Sequence, residues 1–269
     1  NYPDNALCDD GNSCTTNTCI GPGGDANGCE VSSVIFANCN LPRKTNLIFY
    51  TPYQQNGNDI SKGRIPTLTQ ATQTNNGYSG KAYQFDGTST KRITYSQNTE
   101  LGLSNSGFTL IAWAKIEGSN QDPWTIQTII DNMGLAGVWN TYSGYNLRCY
   151  GAPTSPMICD FTYYPLTTDL WNIQSVSLTQ NMLSSWHMVV GKLDSNNINI
   201  YLDGGTLCGG TKNTAPKNGN FNPSINYNMW IGSKTDSPER TLNGKIDEIL
   251  IYNVPLTDAE ICQIYNEFN

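Results

Sequence analysis

The sequence is poor in charge. Charged residues make up 14% of its 269 positions, with 15 Lys and Arg against 22 Asp and Glu, which gives a net charge of −7. An acidic chain lacks the basic patches that displace counterions from phosphates, so nucleic acid is not an expected partner. An anionic lipid surface is disfavoured for the same reason. The sequence also has no run of 18 apolar residues, so no membrane-spanning segment is predicted.

Histidine and closely spaced cysteines are scarce as well. His187 is the only histidine, and none of the nine cysteines forms a Cys-x-x-Cys pair, so a Cys/His zinc site is not expected. A disulfide framework formed in an oxidising compartment is the better interpretation. The only Asn-x-Ser/Thr triplet, at Asn222, contains a proline that blocks N-glycosylation. Either the host does not N-glycosylate the chain, or bulky glycans are selected against because most of the surface packs into an assembly.

What the sequence does contain is short alternating runs of apolar and polar residues. Runs near 197–202, 229–232 and 245–252 are bounded by Asp-Gly, Gly-Gly and Asn-Gly, which is typical of antiparallel strands joined by tight turns. In the first run, Ile198, Ile200 and Leu202 are expected to share one face, opposite Asn197, Asn199 and Tyr201. In the last, Ile246, Glu248, Leu250 and Tyr252 are expected to oppose Asp247, Ile249 and Ile251. Because both faces of that strand carry apolar groups, it is predicted to be central and covered on each side.

Other segments complete the predicted organisation. Further strands are expected near 46–50, 82–86, 92–95, 107–117, 125–131, 144–150, 157–164 and 186–193, with a long loop over 163–184. Thr257 and Glu260 form a capping box, which predicts about three turns of helix at the C-terminus. Residues 1–40 hold five cysteines and few large apolar residues, so they cannot build a core of their own. We therefore predict a Cys-rich arm over 1–40 and one β-sandwich over 41–269.

Four motifs in the same region resemble laminin-G-like domains. They are AYQFDGTSTKRITYS, FTLIAWAKIEG, WHMVVGKLDSNNINIYLDG and MWIGS followed by LNGKIDEILIYNVPLTDAEI, which together cover about 82–265. The resemblance implies an all-β concanavalin-A-like jelly roll of two antiparallel sheets that close around Trp113 and Trp186. The segment DDGNSCTTNTC, in turn, resembles short Cys-rich modules found beside adhesion domains of secreted proteins. The start at Asn1 rather than Met is consistent with a removed signal peptide or with a start inside a longer chain.

The cysteines allow a partial pairing scheme. Cys149 and Cys159 flank a Pro/Gly-rich turn between two strands, so they are expected to pair across a hairpin. The first strand of a jelly roll lies near the last, so Cys39 is expected to pair with Cys262. Cys8, Cys14, Cys19 and Cys29 would then pair locally. This scheme leaves Cys208 free or linked to another chain.

Calcium is the expected cofactor, with two candidate sites. The first is the oxygen-rich, Gly-kinked arm, with Asp9, Asp10, Asn12, Asn17 and Asp25; the alternative is that these side chains cap turns. The second is implied by the resemblance and comprises Asp247 with Asp86 and Gly87. An ion pair with Lys245 or Arg92, or a turn cap, is the alternative for these acids, because burying a bare carboxylate is costly.

Aromatic residues are the candidate ligand contacts. Aromatic rings stack on the C–H faces of sugars, and two clusters supply them: Trp139, Tyr142, Tyr145 and Tyr150, and Tyr163, Tyr164 and Trp171. Packing in the sandwich core is the alternative for each. Tyr145 and Leu147 are expected to lie on different faces of the sheet.

Catalysis has little support. Glycosidases of the family resembled carry a Glu-x-Asp-x-x-Glu triplet, and this sequence has none. His187 is expected to be a hydrogen-bonded strand residue. The resemblance therefore implies a secreted, non-catalytic module that binds glycan or extracellular protein. The alternatives are a structural subunit of an extracellular filament or coat, assembling through the arm, and a divergent glycan hydrolase that has lost its carboxylates.

Overall fold

The computed structural model describes residues 40–54, 56–119, 124, 126–135, 142–151, 157–165, 174–180, 183–223, 226–234, 237 and 239–269, and the backbone of 15–19 and 29–34. Its strands are β1 (Thr15–Cys19), β2 (Cys29–Val34), β3 (Leu47–Thr51), β4 (Leu68–Thr69), β5 (Thr72–Thr74), β6 (Ala82–Asp86), β7 (Ile93–Tyr95), β8 (Phe108–Ile116), β9 (Gln127–Leu135), β10 (Tyr142–Tyr150), β11 (Met157–Tyr163), β12 (Gln174–Gln180), β13 (Trp186–Leu193), β14 (Asn197–Leu202), β15 (Thr211–Pro216), β16 (Met229–Ile231) and β17 (Asn243–Tyr252). The helix α1 spans Asp258–Phe268. No helix in these ranges is long and apolar enough to cross a bilayer.

Two antiparallel sheets form a sandwich. Sheet A has the order β12-β11-β10-β9-β16-β7-β4, and sheet B has the order β15-β14-β13-β8-β17-β6-β5, with β3 also paired to β17. Strand β17 therefore has hydrogen-bonded neighbours on both sides. The predicted jelly-roll sandwich and the central position of the last strand are confirmed.

The inner faces of the two sheets meet in an apolar interior core. Phe108, Leu147 and Phe161 are fully buried there, and the rings of Phe108 and Phe161 lie 5.9 Å apart. Ile198, Ile200 and Leu202 of β14 point into the same core, whereas Tyr201 points to the other side of sheet B. The alternation predicted for β14 is thus confirmed. Burial of each such side chain contributes about 1.5–3 kcal/mol.

Helix α1 covers the outer side of sheet B and forms a second, outer core. Trp113 is fully buried in it, with its ring 4.7 Å from that of Phe268, and Ile261 and Ile264 pack beside it. Trp186 packs against the same cluster. The expectation that the two sheets close around Trp113 and Trp186 is wrong, because β8 and β13 turn these side chains toward the helix.

Strand β17 contains a bulge that breaks its alternation. Glu248 adopts φ 46°, and the pairing with β8 shifts register between Asp247 and Leu250. As a result, Ile246 lies in the interior core with Ile249 and Ile251, while Leu250 and Tyr252 lie in the outer core. The prediction that Ile246 shares a face with Leu250 and Tyr252 is wrong, since one extra residue reverses the phase of a period-two pattern.

Both ends of the sequence-based helix prediction are confirmed. The Glu260 N–H donates to Thr257 Oγ1 at 3.2 Å, and the Thr257 N–H donates to Glu260 Oε2 at 2.7 Å.

The predicted loop over 163–184 is wrong in part, because β12 lies inside it and pairs with β11. Val176 of β12 reaches the interior core between two serines, so a period-two signal was present there.

A tight turn joins β14 to β15 and ties β13 to it. Asp203, at φ 52°, accepts hydrogen bonds from the Met188 N–H at 3.1 Å, and its Oδ2 lies 2.8 Å from His187 Nδ1. The side chain of the only histidine is therefore held by the Asp-Gly turn of the neighbouring strand. This confirms the interpretation of His187 as a hydrogen-bonded strand residue.

The disulfides confirm one predicted pair and correct another. Cys149 and Cys159 face each other across β10 and β11 and are bonded. Cys262 is bonded to Cys208, not to Cys39, because the turn of 3₁₀-helix at 206–208 lies against α1. Cys208 is therefore not the unpaired cysteine. In the arm, the backbone register of β1 and β2 places Cys19 opposite Cys29, while Cys8, Cys14 and Cys39 lie outside the described residues.

This correction predicts the outcome of thiol labelling. When the unreduced protein is unfolded in guanidinium and alkylated, Cys208 and Cys262 are expected to stay unmodified because they are bonded to each other. Five cysteines remain after the two bonds, all before Asn40, so any label is expected there. Peptide mass spectrometry reads the sites directly. Alkylated Cys208 would refute the pairing.

Candidate ligand-binding face

Strands β9, β10 and β11 carry polar side chains on the side of sheet A that points away from the interior core. Leu147 of β10 lies in that core, so its neighbours Asn146 and Arg148 point the other way. Their cross-strand partners in β11, Thr162 and Asp160, point with them. We call this surface the outer face. The register adds Thr128 and Asp131 from β9, Trp230 from β16 and Thr94 from β7.

Two carboxylates of the outer face are held by neighbouring strands. Arg148 donates from Nε to Asp160 Oδ1 at 2.8 Å and from Nη2 to Asp160 Oδ2 at 3.0 Å, a bidentate pair. Burial raises the pKa of Asp160, and the charge of Arg148 opposes that shift. Asn146 donates from Nδ2 to Asp131 Oδ1 at 2.7 Å. These bonds fix the side chains of the face before any ligand arrives.

Several buried polar atoms of the outer face lack a hydrogen-bond partner within the described parts of the chain. They are Thr94 Oγ1, Thr128 Oγ1, Asn146 Oδ1, Thr162 Oγ1 and Trp230 Nε1. A buried donor or acceptor without a partner costs about 1–3 kcal/mol, so native proteins leave few of them. Because these atoms have almost no accessible surface, enclosed water is the partner that can satisfy them, and a molecule docked on the surface does not reach them.

Aromatic rings lie on either side of this polar row. Tyr142, at the start of β10, stacks on Tyr164, with ring centroids 5.1 Å apart and planes inclined by 27°. Tyr142 remains partly exposed. Two strands away on β16, Trp230 lies under the guanidinium of Arg92, 4.5 Å from the ring centroid. The face thus combines flat apolar surfaces with donors and acceptors.

Two further cations lie in the connection between β16 and β17. Lys234 follows β16 and Arg240 precedes β17. Burial lowers the pKa of Lys234 to about 8, an effect that the charge of Asp131 opposes and the charges of Arg240 and Arg148 reinforce. The charged groups of the outer face therefore interact with one another and shift the pKa of Lys234.

The structure divides the predicted aromatic contacts. Tyr142 and Tyr164 come together on the outer face as described above. Tyr145 and Tyr163 are fully buried, with hydroxyls 2.9 Å from the carbonyl oxygens of Leu101 and Asn218 respectively. Their assignment as ligand contacts is wrong, because alternation turns both side chains into the interior core.

The same alternation places Tyr145 and Leu147 together. Both face the interior core, since residues two apart in a strand share a face, so the expectation that they lie on different faces is wrong. Tyr150 lies at the other end of β10, partly exposed and opposite Ile158. Trp139 and Trp171 lie outside the described residues, and their role stays a prediction.

The candidate calcium ligands of the sandwich do not converge. Asn243, not Asp247, pairs with Asp86, so Asp247 lies four residues along β17, or about 13 Å away at 3.3 Å per residue. Asp86 accepts bonds from the N–H and hydroxyl of Thr88, at 3.0 and 2.6 Å, and caps the turn that contains Gly87. The prediction of one site built from Asp86, Gly87 and Asp247 is wrong, and the turn cap is the role of Asp86.

Asp247 is held by backbone amides. Its Oδ2 accepts the Ser79 N–H at 3.0 Å and its Oδ1 accepts the Glu248 N–H at 2.9 Å. The cations suggested as partners lie elsewhere: Lys245 Nζ is 3.1 Å from Glu117 Oε1, and Arg92 lies over Trp230. Amide donors, and not a Lys or Arg side chain from that pattern, therefore stabilise this carboxylate.

The described residues contain no group of three or more His, Cys, Asp or Glu side chains that could hold a metal ion. Among the candidates in the arm, Asp9, Asp10, Asn12 and Asp25 lie outside the described residues, and only the backbone is described for Asn17. Calcium binding by the arm stays a prediction.

Sequence reasoning missed the polar members of the outer face. Asn146, Arg148 and Asp160 alternate with apolar residues of the interior core in YNLRC and CDFTY. Applied correctly, the period-two rule would have placed all three on one surface. Lys234 and Arg240 lie in the connection between β16 and β17, and no periodicity indicates their positions.

The sequence matches one family model. The model described as the concanavalin A-like lectin/glucanases superfamily covers residues 86–262. The chain belongs to this superfamily. Within this superfamily domain, the match runs from the Asp-Gly turn at Asp86 to the disulfide-bonded Cys262 of α1, and it confirms the laminin-G-like resemblance. No curated protein matches the sequence.

Solved structures with the same fold include binding domains of bacterial toxins. The binding domain of Paraclostridial Mosquitocidal Protein 1 superposes with a TM-score of 0.62 at 14% identity, covering 84% of this chain and 53% of that one. Botulinum neurotoxin type C, whose cell entry is dependent upon interaction with two ganglioside molecules, gives 0.59 at 14% identity, covering 84% and 52%. The binding domain of botulinum neurotoxin DC, in complex with rat synaptotagmin II, gives 0.58 at 15% identity, covering 84% and 52%. This superfamily member spans about half the length of those chains.

Proposed function

We propose that this chain is a non-catalytic carbohydrate-binding module that holds glycans on the outer face of sheet A. The observation that carries the proposal is the stacked pair of Tyr142 and Tyr164, in which Tyr142 is partly exposed, near the partly exposed guanidinium of Arg148. Sugars supply C–H surfaces for such rings and hydroxyls for such donors.

The comparisons support this proposal at the level of the fold. The superfamily includes lectins, and one toxin of the same fold depends on gangliosides, which are glycolipids, for cell entry. Another is bound to a protein, synaptotagmin II, so a protein partner is the alternative that a glycan screen tests. The absence of a Glu-x-Asp-x-x-Glu triplet supports binding without hydrolysis.

The disulfides support an extracellular location. Cys149–Cys159 and Cys208–Cys262 would not persist in a reducing cytosol. The alternative of a filament subunit loses one of its arguments, because Cys208 is paired within the chain and is not available to link subunits. The five cysteines before Asn40 are the remaining candidates for links between subunits, and the labelling experiment above reports on them.

A glycan array with the purified chain tests the proposal, and Tyr142 provides the variant. Tyr142→Ala removes the exposed ring of the stacked pair, so affinity for the glycan with the strongest signal is expected to fall about tenfold, or about 1.4 kcal/mol. Titration calorimetry measures the change. Leu207→Ala is the matched control, because Leu207 is also an exposed apolar side chain (64%) but belongs to the α1 side of the molecule. A folded chain that binds no glycan, or equal losses in both variants, would sink the proposal.

A further inference from the structure

A small cavity lies on the α1 side of the molecule, away from the outer face of sheet A. It has a volume of about 230 Å³ and is lined by Asp203, Tyr265 and residues 208–211. Each of these residues keeps part of its surface exposed, so a ligand has access to them. Because drug-sized ligands occupy roughly 300–1,000 Å³, this cavity fits a group about the size of one side chain.

The two walls of the cavity are held together before any ligand arrives. Asp203 begins the turn after β14, and Gly204 follows it at φ 76°. A Cβ on Gly204 would lie 2.6 Å from Cys208 Cβ and 2.9 Å from Tyr265 Cβ, so the turn is in close contact with α1. The disulfide between Cys208 and Cys262 joins the same two elements, about one helical turn before Tyr265. The cavity is therefore preformed.

Asp203 has acceptor capacity left over. Its Oδ1 accepts the Met188 N–H at 3.1 Å, and its Oδ2 lies 2.8 Å from His187 Nδ1. A carboxylate can accept about four hydrogen bonds, so these two contacts leave room for donors of a ligand. One quarter of the Asp203 side-chain surface (25%) is exposed, and such donors can reach it.

The turn beside Asp203 presents acceptors and no free amide donors. The N–H groups of Cys208, Gly209 and Gly210 all donate to carbonyl oxygens within the turn, those of Gly205 and Thr206. The carbonyl oxygens of Cys208 and Gly209, in contrast, accept no hydrogen bond from the part of the chain that the structure describes. A cavity of this kind disfavours an anion and favours a ligand that donates several hydrogen bonds.

The electrostatics of the cavity favour a cation. Tyr265 belongs to the last turn of α1, which contains no basic residue, and the C-terminal end of a helix carries roughly half a negative charge. The face of a tyrosine ring also attracts cations. The net charge of −7 adds a long-range attraction of the same sign. An ammonium group, with three donors, no acceptor and a positive charge, matches these features.

We propose that this cavity binds the primary ammonium group of an unbranched alkyl chain, as found in a lysine side chain. The ammonium group donates to Asp203 and to the carbonyl oxygens of Cys208 and Gly209, and the methylene groups pack along the ring of Tyr265. This is a second site, independent of the glycan-binding proposal for sheet A. Failure of either proposal leaves the other standing.

Matched ligands test the preference for an ammonium group. Nα-acetyl-lysine methylamide is compared with its norleucine analogue, which has the same backbone and lacks the amino group. Both are titrated into the isotope-labelled chain at pH 7.0 and 50 mM salt, and the amide signals of Gly209, Gly210 and Thr211 report binding. The lysine derivative is expected to bind at least five times tighter. Equal affinities, or no shift of these signals with either compound, would overturn the inference.

Glucosamine tests the shape of the ligand. It carries a primary ammonium group on a ring that is too wide to lie along Tyr265 inside a cavity of about 230 Å³. It is therefore expected to bind more weakly than the lysine derivative. Tighter binding of glucosamine would contradict the assignment to an unbranched chain.

Variants locate the effect. Asp203→Asn removes the charge but keeps an oxygen that accepts the Met188 N–H, and it is expected to reduce the lysine-to-norleucine affinity ratio to below twofold. Tyr265→Leu keeps an apolar contact with Gly204 and is expected to reduce the same ratio by removing the ring. Circular dichroism checks the folding of each variant, and Tyr265→Leu decides the matter if Asp203→Asn does not fold.

Asp194→Asn is the matched control. Asp194 is also a turn carboxylate, but it lies at the other end of β14, where it accepts the N–H groups of Asn196 and Asn197. Its replacement removes the same charge from the chain and is expected to leave the affinity ratio unchanged. Equal ratios in Asp194→Asn and folded Asp203→Asn would show that no local contact with Asp203 exists and would overturn the proposed site.

Discussion

Trp113→Ala is expected to lower the free energy of unfolding by about 3–5 kcal/mol, the usual cost of emptying a large buried aromatic site. Trp113 is fully buried between sheet B and α1, with Phe268, Ile261 and Ile264 around it. Because these helix residues contact the tryptophan directly, the loss should include partial release of α1 from the sheet. Denaturant unfolding followed by circular dichroism measures it.

Trp124→Ala is the matched control for this prediction. Trp124 is 74% exposed, so its removal is expected to change stability by no more than about 0.5 kcal/mol. If Trp113→Ala cost as little as Trp124→Ala, the outer core beneath α1 would not exist as described.

Cys208→Ser is expected to destabilise the chain by about 4 kcal/mol. The bond to Cys262 closes a loop of 54 residues, and the chain-entropy relation gives this magnitude for a loop of that length. The double variant with Cys262→Ser should lose the same amount, because either change removes the same bond. Thermal and denaturant unfolding under non-reducing conditions measure the loss.

Cys39→Ser separates the observed pairing from the one expected from the sequence. If Cys39 were the partner of Cys262, then Cys39→Ser would carry the large loss and Cys208→Ser would be nearly neutral. The structure predicts the opposite order. A loss for Cys39→Ser that exceeds that for Cys208→Ser would contradict the assignment.

The fold was predictable because its signals are local. Alternation in β14, the capping box at Thr257 and the hairpin around Cys149 and Cys159 each depend on residues near one another in sequence, and each is confirmed. The side of sheet B on which Trp113 lies was not predictable, because a strand covered on both faces gives no signal for which face meets the helix. The bulge at Glu248 was not predicted for a related reason. In a strand with apolar residues on both faces, one extra residue leaves no visible break in the alternating pattern.

The candidate site was predictable only in part. Tyr142 and Tyr164 were identified by residue type, and alternation would have removed Tyr145 and Tyr163 from the set. Arg148 and Asp160 could have been placed by the same rule. The positions of Lys234 and Arg240 depend on the path of the single connection between β16 and β17, and the pairing rules for strands do not determine that path. The pairing of Cys208 was predicted wrongly because the contact between its short turn and the C-terminal helix joins residues far apart in the sequence. Such a contact produces no periodic pattern in the sequence.

The most direct measurement is a map of amide and side-chain chemical shifts as the isotope-labelled chain is titrated with its best-binding glycan. Glycan binding on the outer face of sheet A should shift the signals of Trp230 Nε1–H, Arg148 Nε–H and the Asn146 amide group together, with one saturation curve. Shifts confined to the α1 side, around Leu207 and Gln263, with those three signals unmoved, would contradict the account.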